Sequence, residues 1–327
     1  MGLKYGSLLY KHGFRATEQT QEKLEFGRKS EIEVKRVFPQ ILEEIRGFAE
    51  GCHASYEQLA AFMMGIGAFK AQPMCSAFAV AASDNVVFGR NYDFFYSFKK
   101  FTEAYVTGPE ESYWSLGHSD VFIGREDGVN EKGLAIAMTG VNGRMEKPGV
   151  SFVLAVRGVL DKCANVKEAV RFLTDSHPNA AANFLVADKE GNMAVVETSP
   201  SRTRIRQSEG NDSFVVCTNH FVHPEMQEVE DLEHRKSSEW DSLPRYATIS
   251  SMLREHRNKA DAKLAQEILA DHSGYVCSHQ EKMKLGTLWS VAATLKEPKV
   301  FRAEGQPCRT KYKEDKRLGK AIERRSK

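Results

Sequence analysis

The chain lacks most of what marks a specialised protein. Six cysteines in 327 residues, Cys52, Cys75, Cys163, Cys217, Cys277 and Cys308, are too sparse and too widely spread for a small disulfide scaffold, so free thiols are expected. Charge of one sign is missing as well. Lysine plus arginine number 46 against 44 aspartate plus glutamate, which leaves no global field to favour nucleic acid or an anionic membrane surface. No segment approaches a membrane-spanning apolar run, and "MGLKYGSLLYKHGFRA" lacks the apolar centre and small-residue cleavage site of a secretory signal; a cytoplasmic address is expected. A phosphate loop is absent too, because "GVNEKG" has the glycines of a tight turn in the wrong order.

What remains is an ordinary globular composition, 41% hydrophobic and 28% charged, with a readable order of elements. From Thr17 to Gly51, Val37, Ile41, Ile45 and Phe48 recur at helical spacing, with Pro39 dividing the pattern. "SYEQLAAFMMGIGAF" begins a further helix, with Ser55 in the capping position and Gln58 three residues on. At Cys75 the period changes. "SAFAVAAS", "NVVFGR", "AYVTG", "VFIGRE" and "GLAIAM" read as short antiparallel strands. Residues 152–175 return to helical spacing, "NFLVADKEGNMAVVET" is a hairpin, and "RTRIRQSEG" and "SFVVCTNH" continue the strands. Helices over Arg245–His256 and Asp261–Ala270 precede a last hairpin, "LWSVAATLKEPKVFRAEG". The basic tail from Lys311 to Lys327 reads as a solvated or frayed end. Antiparallel sheets covered by helices follow from this order.

Cys75 stands where helix gives way to strand. Taken alone it reads as a small buried hydrophobe. Yet a hairpin with "FGRNYDF" would bring Arg90, Asn91 and Asp93 back toward it, and a guanidinium beside a thiol favours the thiolate. One metal reading and one dyad reading compete here. Cys217, His220, His223 and His234 lie within one region but match no compact zinc spacing, and Cys277 with His279 invites a Cys/His dyad, but the two would run parallel on a strand, about 7 Å apart, without converging. No metal and no cofactor are expected.

Five motifs occur in one order: "CSAFAV", "GRNYDF", "DGVNEKGLAIAM", "TNHF" and "DSLPRY". In this the chain resembles the cysteine N-terminal-nucleophile hydrolases, most closely the acyl-coenzyme A:6-aminopenicillanate acyltransferase branch and more distantly the penicillin V acylases and conjugated bile salt hydrolases. The resemblance implies an α+β fold, a four-layer αββα sandwich of two antiparallel sheets, with residues 1–74 as a helical propeptide and 75–327 as the hydrolase domain with its basic tail. It also implies autoproteolysis before Cys75, where relatives often carry glycine and this chain has Met74. Cys75 would then be nucleophile and, through its freed α-amine, base. Asp93 would hold that amine, Arg90 would lie beside the thiol, Asn219 would supply an oxyanion-hole donor and Arg245 would complete the cluster. The second oxyanion donor falls to the Gly140 backbone or to Asn142. The implied function is a self-processing amidase for linear carbon–nitrogen amides. An acyltransferase using a thioester or amide donor, or an inactive binding protein of the same fold, are the alternatives. Implied partners are a small-molecule acylated amine as substrate, a propeptide that can stay associated and, as an open option, a homo-oligomer; no nucleic acid and no membrane are implied. The aromatic run Tyr92, Phe94, Phe95, Tyr96 and Phe98 divides between core and an apolar acyl pocket, with core favoured.

Overall fold

A computed structural model describes residues 1–69, 74–82, 84–108, 110–208, 210, 212–233, 242–256 and 261–325. Two seven-stranded antiparallel sheets face each other. The first runs β10 (Phe214–Cys217), β1 (Met74–Ala81), β2 (Val86–Phe95), β12 (Leu285–Thr294), β13 (Lys299–Ala303) and β14 (Lys313–Glu314), with the two-residue β11 (His279–Gln280) beside β12. The second runs in chain order from β3 (Glu103–Thr107) through β4 (Ser115–Ser119), β5 (Asp127–Asn130), β6 (Ala135–Gly140), β7 (Ala182–Ala187) and β8 (Met193–Ser199) to β9 (Arg202–Arg206).

Helices cover both outer faces, so the central strands are buried on both sides and read as continuous apolar runs. On β1, Cys75, Ala77 and Ala79 point between the sheets, whereas Phe78 and Val80 point outward. That outer face packs against α8 (Ser242–Glu255) and α9 (Ala262–Leu269) through Ile249, Leu253, Leu264 and Ile268. On the opposite side, Ile136 and Met138 of β6 meet α5 (Phe152–Lys162) and α6 (Val166–Asp175). Four layers result, α/β/β/α, as expected.

The amino-terminal helices belong to that last layer. Thr20 caps α2 (Gln21–Val37) by accepting from the Lys23 N–H. Pro39 ends α2 and occupies the first turn of α3 (Pro39–Gly51), where its missing N–H costs nothing. Ile41, Ile45 and Phe48 of α3, with Met63 and Met64 of α4 (Tyr56–Gly65), share one core with Phe152, Val153 and Val156 of α5. Polar ties reinforce it: Glu44 pairs with the buried Arg157 at 3.0 Å, and Asn179 donates to the Met64 and Ile66 carbonyls at 2.8 Å each.

The helical reading of the first seventy residues extends to their start, where α1 (Gly2–Lys11) forms. Three local expectations need correction. Ser55 precedes α4 without a side-chain cap, and Gln58 instead accepts from the Gln19 backbone, so the capping box does not form. "VFIGRE" is turn rather than strand: Phe122 takes φ +52° and Gly124 N–H bonds back to Val121. The strand before it is the polar, glycine-bearing β4, which has no strand-like pattern. Nor does the basic end fray within 311–325. β14 pairs with β13, and α10 (Arg317–Arg325) turns Leu318 into the inter-sheet core with Ile322 packed beside it. Charges crowd this helix, but apolar residues spaced i, i+4 give it one face to bury. Among the described residues no helix is long and apolar enough to cross a membrane.

Candidate active site

Strand pairing assembles the centre. β1 and β2 are antiparallel neighbours with Met74 opposite Asp93, Cys75 opposite Tyr92 and Ala77 opposite Arg90. Cys75 and Arg90 both turn into the space between the sheets, where the Arg90 Nη2 lies 3.2 Å from the Cys75 Sγ. The same guanidinium donates to the Asp127 carboxylate at 2.9 Å and to the Glu126 carbonyl. Asp127 in turn accepts from the Trp289 indole N–H at 3.0 Å and faces His118 Nδ1 at 2.5 Å. Tyr92 and Trp289 stack 3.8 Å apart beside the cluster.

Asn219 follows β10, and its Oδ1 accepts from the Cys75 N–H at 2.9 Å and from Arg245 Nη2 at 2.8 Å. With two donors on its oxygen, the amide nitrogen must face away, and it donates to the Gly140 carbonyl at 2.8 Å. Arg245, in the first turn of α8, reaches the Cys75 carbonyl at 2.5 Å and Ser76 Oγ at 3.0 Å. Thr218 and His220 hold α8 in place through contacts with the Ser242 carbonyl and hydroxyl. Asp93 accepts from Thr287 Oγ1 at 2.6 Å and feels the charges of Arg245 and Arg90. All five residues singled out in the sequence therefore meet around the Met74–Cys75 junction.

Burial sets the proton balance. Cys75 is fully enclosed, and desolvation pushes its thiol up to about 12, although Arg90 pulls the other way. The expectation that Arg90 favours the thiolate is met in direction and outweighed in size by desolvation, with Glu126 and Asp93 adding smaller opposition. Desolvation also raises the Asp93 carboxyl to about 6 against Arg245, Thr287 and Arg90. For Asp127, His118 and Arg90 together outweigh burial and hold the carboxyl below its usual range. The intact chain thus carries a protonated thiol beside a fixed cation.

Other candidates resolve in different ways. Gly140 presents its carbonyl to Asn219, and Asn142 is exposed in the loop beyond β6. Tyr92 and Phe94 are core, as favoured. Trp289, absent from the sequence reading, also lines a cavity of about 780 Å³ together with Tyr5, Tyr105, Ile123 and Leu288. None of the five site residues lines that cavity. Asp127 and Glu126 were missed although "DGVNEKG" was noticed; adjacent acids opening an apolar segment were the available signal. Cys217 is buried in β10, His220 is engaged by Thr218 and Ser242, and His223 caps α7 (Pro224–Gln227); His234 lies outside the described residues. Contrary to expectation, Cys277 and His279 do converge, with Sγ and Nε2 3.4 Å apart. The strand argument fails because β11 begins only at His279 and Cys277 belongs to the preceding turn.

A four-layer αββα sandwich of two antiparallel sheets is the N-terminal-nucleophile hydrolase fold. Solved structures share this fold. Penicillin V acylase from Agrobacterium tumefaciens superposes with a TM-score of 0.52 and 18% identity, over 70% of this chain and 83% of that one. A mutant conjugated bile acid hydrolase from Clostridium perfringens gives 0.54 and 16%, over 71% and 89%. The Caenorhabditis elegans N-acylethanolamine-hydrolyzing acid amidase ortholog gives 0.50 and 18%, over 68% and 93%. Residues 80–309 match the family described as acyl-coenzyme A:6-aminopenicillanic acid acyl-transferase, and the chain belongs to that family. Arg90, Asp93, Asn219 and Arg245 fall inside the match; Cys75 precedes its start. An uncharacterized protein of Archaeoglobus fulgidus is 25% identical over 188 residues, covering 49% of this chain and 31% of that protein's own length.

Proposed function

We propose that the protein is a self-processing amidase in which Cys75 becomes the N-terminal nucleophile for linear carbon–nitrogen amides. The observation that supports this most directly is the double hold on one residue: Arg90 on its thiol, and Asn219 with Arg245 on its backbone N–H and carbonyl.

In the precursor, the Cys75 Sγ attacks the Met74 carbonyl carbon, the Met74–Cys75 C–N bond breaks, and the thiol proton passes to the departing nitrogen. The resulting thioester is hydrolysed by water, which leaves a Met74 carboxylate and a free Cys75 amine. That amine, with a reference pKa of about 7.7–8.0, can take the thiol proton, which the amide could not. Arg90 cannot serve as base, because guanidinium does not give up its proton in this pH range. In turnover the thiolate attacks the substrate amide, the ammonium protonates the leaving amine, and water releases the acid. An amine acceptor in place of water would make the same intermediate an acyltransferase. The amino-terminal segment stays on the mature protein, since α3 and α4 share their core with α5.

Intact-protein mass spectrometry of wild type beside Cys75→Ala tests the reading. Two fragments meeting at Met74 and Cys75, absent from the variant, are expected together with turnover of small N-acyl amines. A single uncleaved chain in both, inert to substrate and to acylating thiol probes, would overturn it.

A further inference from the structure

Away from Cys75, at the β11 end of the same sheet, four soft ligand residues converge. His272, Cys277, His279 and Cys308 each offer one donor atom, and all four atoms lie within 4.8 Å of one another. The Cys277 Sγ and the Cys308 Sγ approach the same His279 nitrogen, Nε2, at 3.4 and 3.0 Å. The His272 and His279 rings stand edge to face, 5.1 Å between centroids. Nε2 has one lone pair or one proton, so a single hydrogen bond would satisfy it. Two sulfurs and a second imidazole around it are better accounted for by an ion at their centre.

Geometry and chemistry agree on the kind of ion. Metal–sulfur bonds of about 2.3 Å and metal–nitrogen bonds of about 2.0–2.1 Å at tetrahedral angles require ligand–ligand edges of about 3.3–3.8 Å. The two sulfur–nitrogen distances, 3.4 and 3.0 Å, fall at the lower end of that range and about 0.3 Å below it, so a small outward shift of Cys308 would admit the ion. Two thiolates with two imidazoles select zinc over calcium or magnesium, which take oxygen ligands. We propose that His272, Cys277, His279 and Cys308 form a tetrahedral zinc site. On binding, each cysteine releases its proton to solvent, and four protein ligands leave no open position for catalysis.

The backbone presents these ligands from two separate turns. Cys277 N–H bonds to the Asp271 carbonyl at 2.8 Å, and Tyr275 takes φ +63°, which folds His272 back beside Cys277. Thr310 and Arg309 N–H groups both bond to the Gln306 carbonyl, so Cys308 sits at the tip of a second turn. Ser278, between two ligands, donates its N–H to Thr287 Oγ1 at 3.1 Å and accepts the Thr287 N–H at 3.2 Å. Thr287 is the residue that donates to Asp93. The ion therefore ties residues 271–280 and 306–310 to the sheet and, through Ser278 and Thr287, positions Asp93. It is a structural and positioning site.

The experiment measures zinc in the full chain purified from zinc-supplemented cells, beside Cys308→Ser, His272→Ala and the distant control His256→Ala. His272 and Cys308 are exposed, which spares the fold in those variants. One zinc per chain in wild type and control, falling below about a tenth in both ligand variants, is expected. Cobalt added after chelation should give thiolate-to-metal charge-transfer bands in wild type alone. Zinc content equal across all four proteins overturns the proposal, as does its absence from wild type together with a Cys277–Cys308 disulfide in non-reduced peptide maps. Because Cys75→Ala should keep its zinc, failure of the amidase reading would leave this result untouched.

Discussion

Cys75 and the Cys277–Cys308 pair are served by one sheet but kept in opposite company. Beside Cys75 stand a guanidinium and, beyond it, two carboxylates, and among the described residues no imidazole bonds to the sulfur. Around Cys277 and Cys308 stand two imidazoles. A fixed cation can lower the cost of a thiolate but cannot accept its proton, so a sulfur in that setting needs a base from elsewhere. Imidazoles offer lone pairs, and two of them with two sulfurs make a ligand set. Sulfur content alone distinguishes nothing; the neighbouring nitrogen decides whether a thiol is placed to react or to bind.

Four measurements would break or sharpen that contrast. The largest effect belongs to Cys75→Ala, which should remove self-cleavage and lower turnover by about 10⁴-fold or more while zinc content is unchanged. Zinc lost from this variant would mean the two sulfur sites are not separate. Next, Asn219→Ala in a pre-cleaved protein should reduce kcat by about 10²–10³-fold, the usual loss for one oxyanion-hole donor, if cleavage turns its amide nitrogen from the Gly140 carbonyl toward the substrate. A change confined to KM would make Asn219 a scaffold for the Cys75 amine instead.

Asp93→Asn should impair turnover yet raise stability. Its folded pKa of about 6 lies above the unfolded value, so the ionised carboxylate is disfavoured in the native state. The penalty is absent below the unfolded pKa of about 3.9, grows as pH rises toward 6 and is complete above it, about 3 kcal/mol at most. Urea unfolding at pH 7.5 and at pH 4 should show the variant gaining at the higher pH only. Equal curves at both would place the carboxylate in a less enclosed setting. The smallest effect is expected for Thr287→Val, which cuts the side-chain link between the two sulfur sites. Loss of one hydrogen bond to the carboxylate, about 1–1.5 kcal/mol, should move the Asp93 titration up by about one pH unit and slow turnover about tenfold. An unmoved pH profile would disconnect the zinc turn from the catalytic centre.

Much of the candidate active centre was legible because it rests on local signals. The change of period at Cys75 placed the strand, and the short hairpin to "GRNYDF" placed Arg90 and Asp93 by register alone. Asn219 and Arg245 came through the resemblance, since nothing local ties position 219 to 75. The zinc cluster was invisible for a related reason. Cys308 lies far along the chain from His272, and strand periodicity misplaced Cys277 by extending β11 backward over a turn. Charge density misled at the carboxyl end, where Leu318 and Ile322 gave α10 a core-facing side that composition averaged away.

The shared core of the amino-terminal helices and α5 has a further consequence. Before a cut at Met74, unfolding is a one-molecule event; afterwards two chains must find each other again. The melting temperature of the cut form should then rise with protein concentration and fall on dilution, although every native contact is the same. Renaturation would change order as well, because the segment that once folded in tandem with its partner must be recruited from solution. A single peptide bond would thereby make the mature enzyme's persistence a matter of how much of it is present.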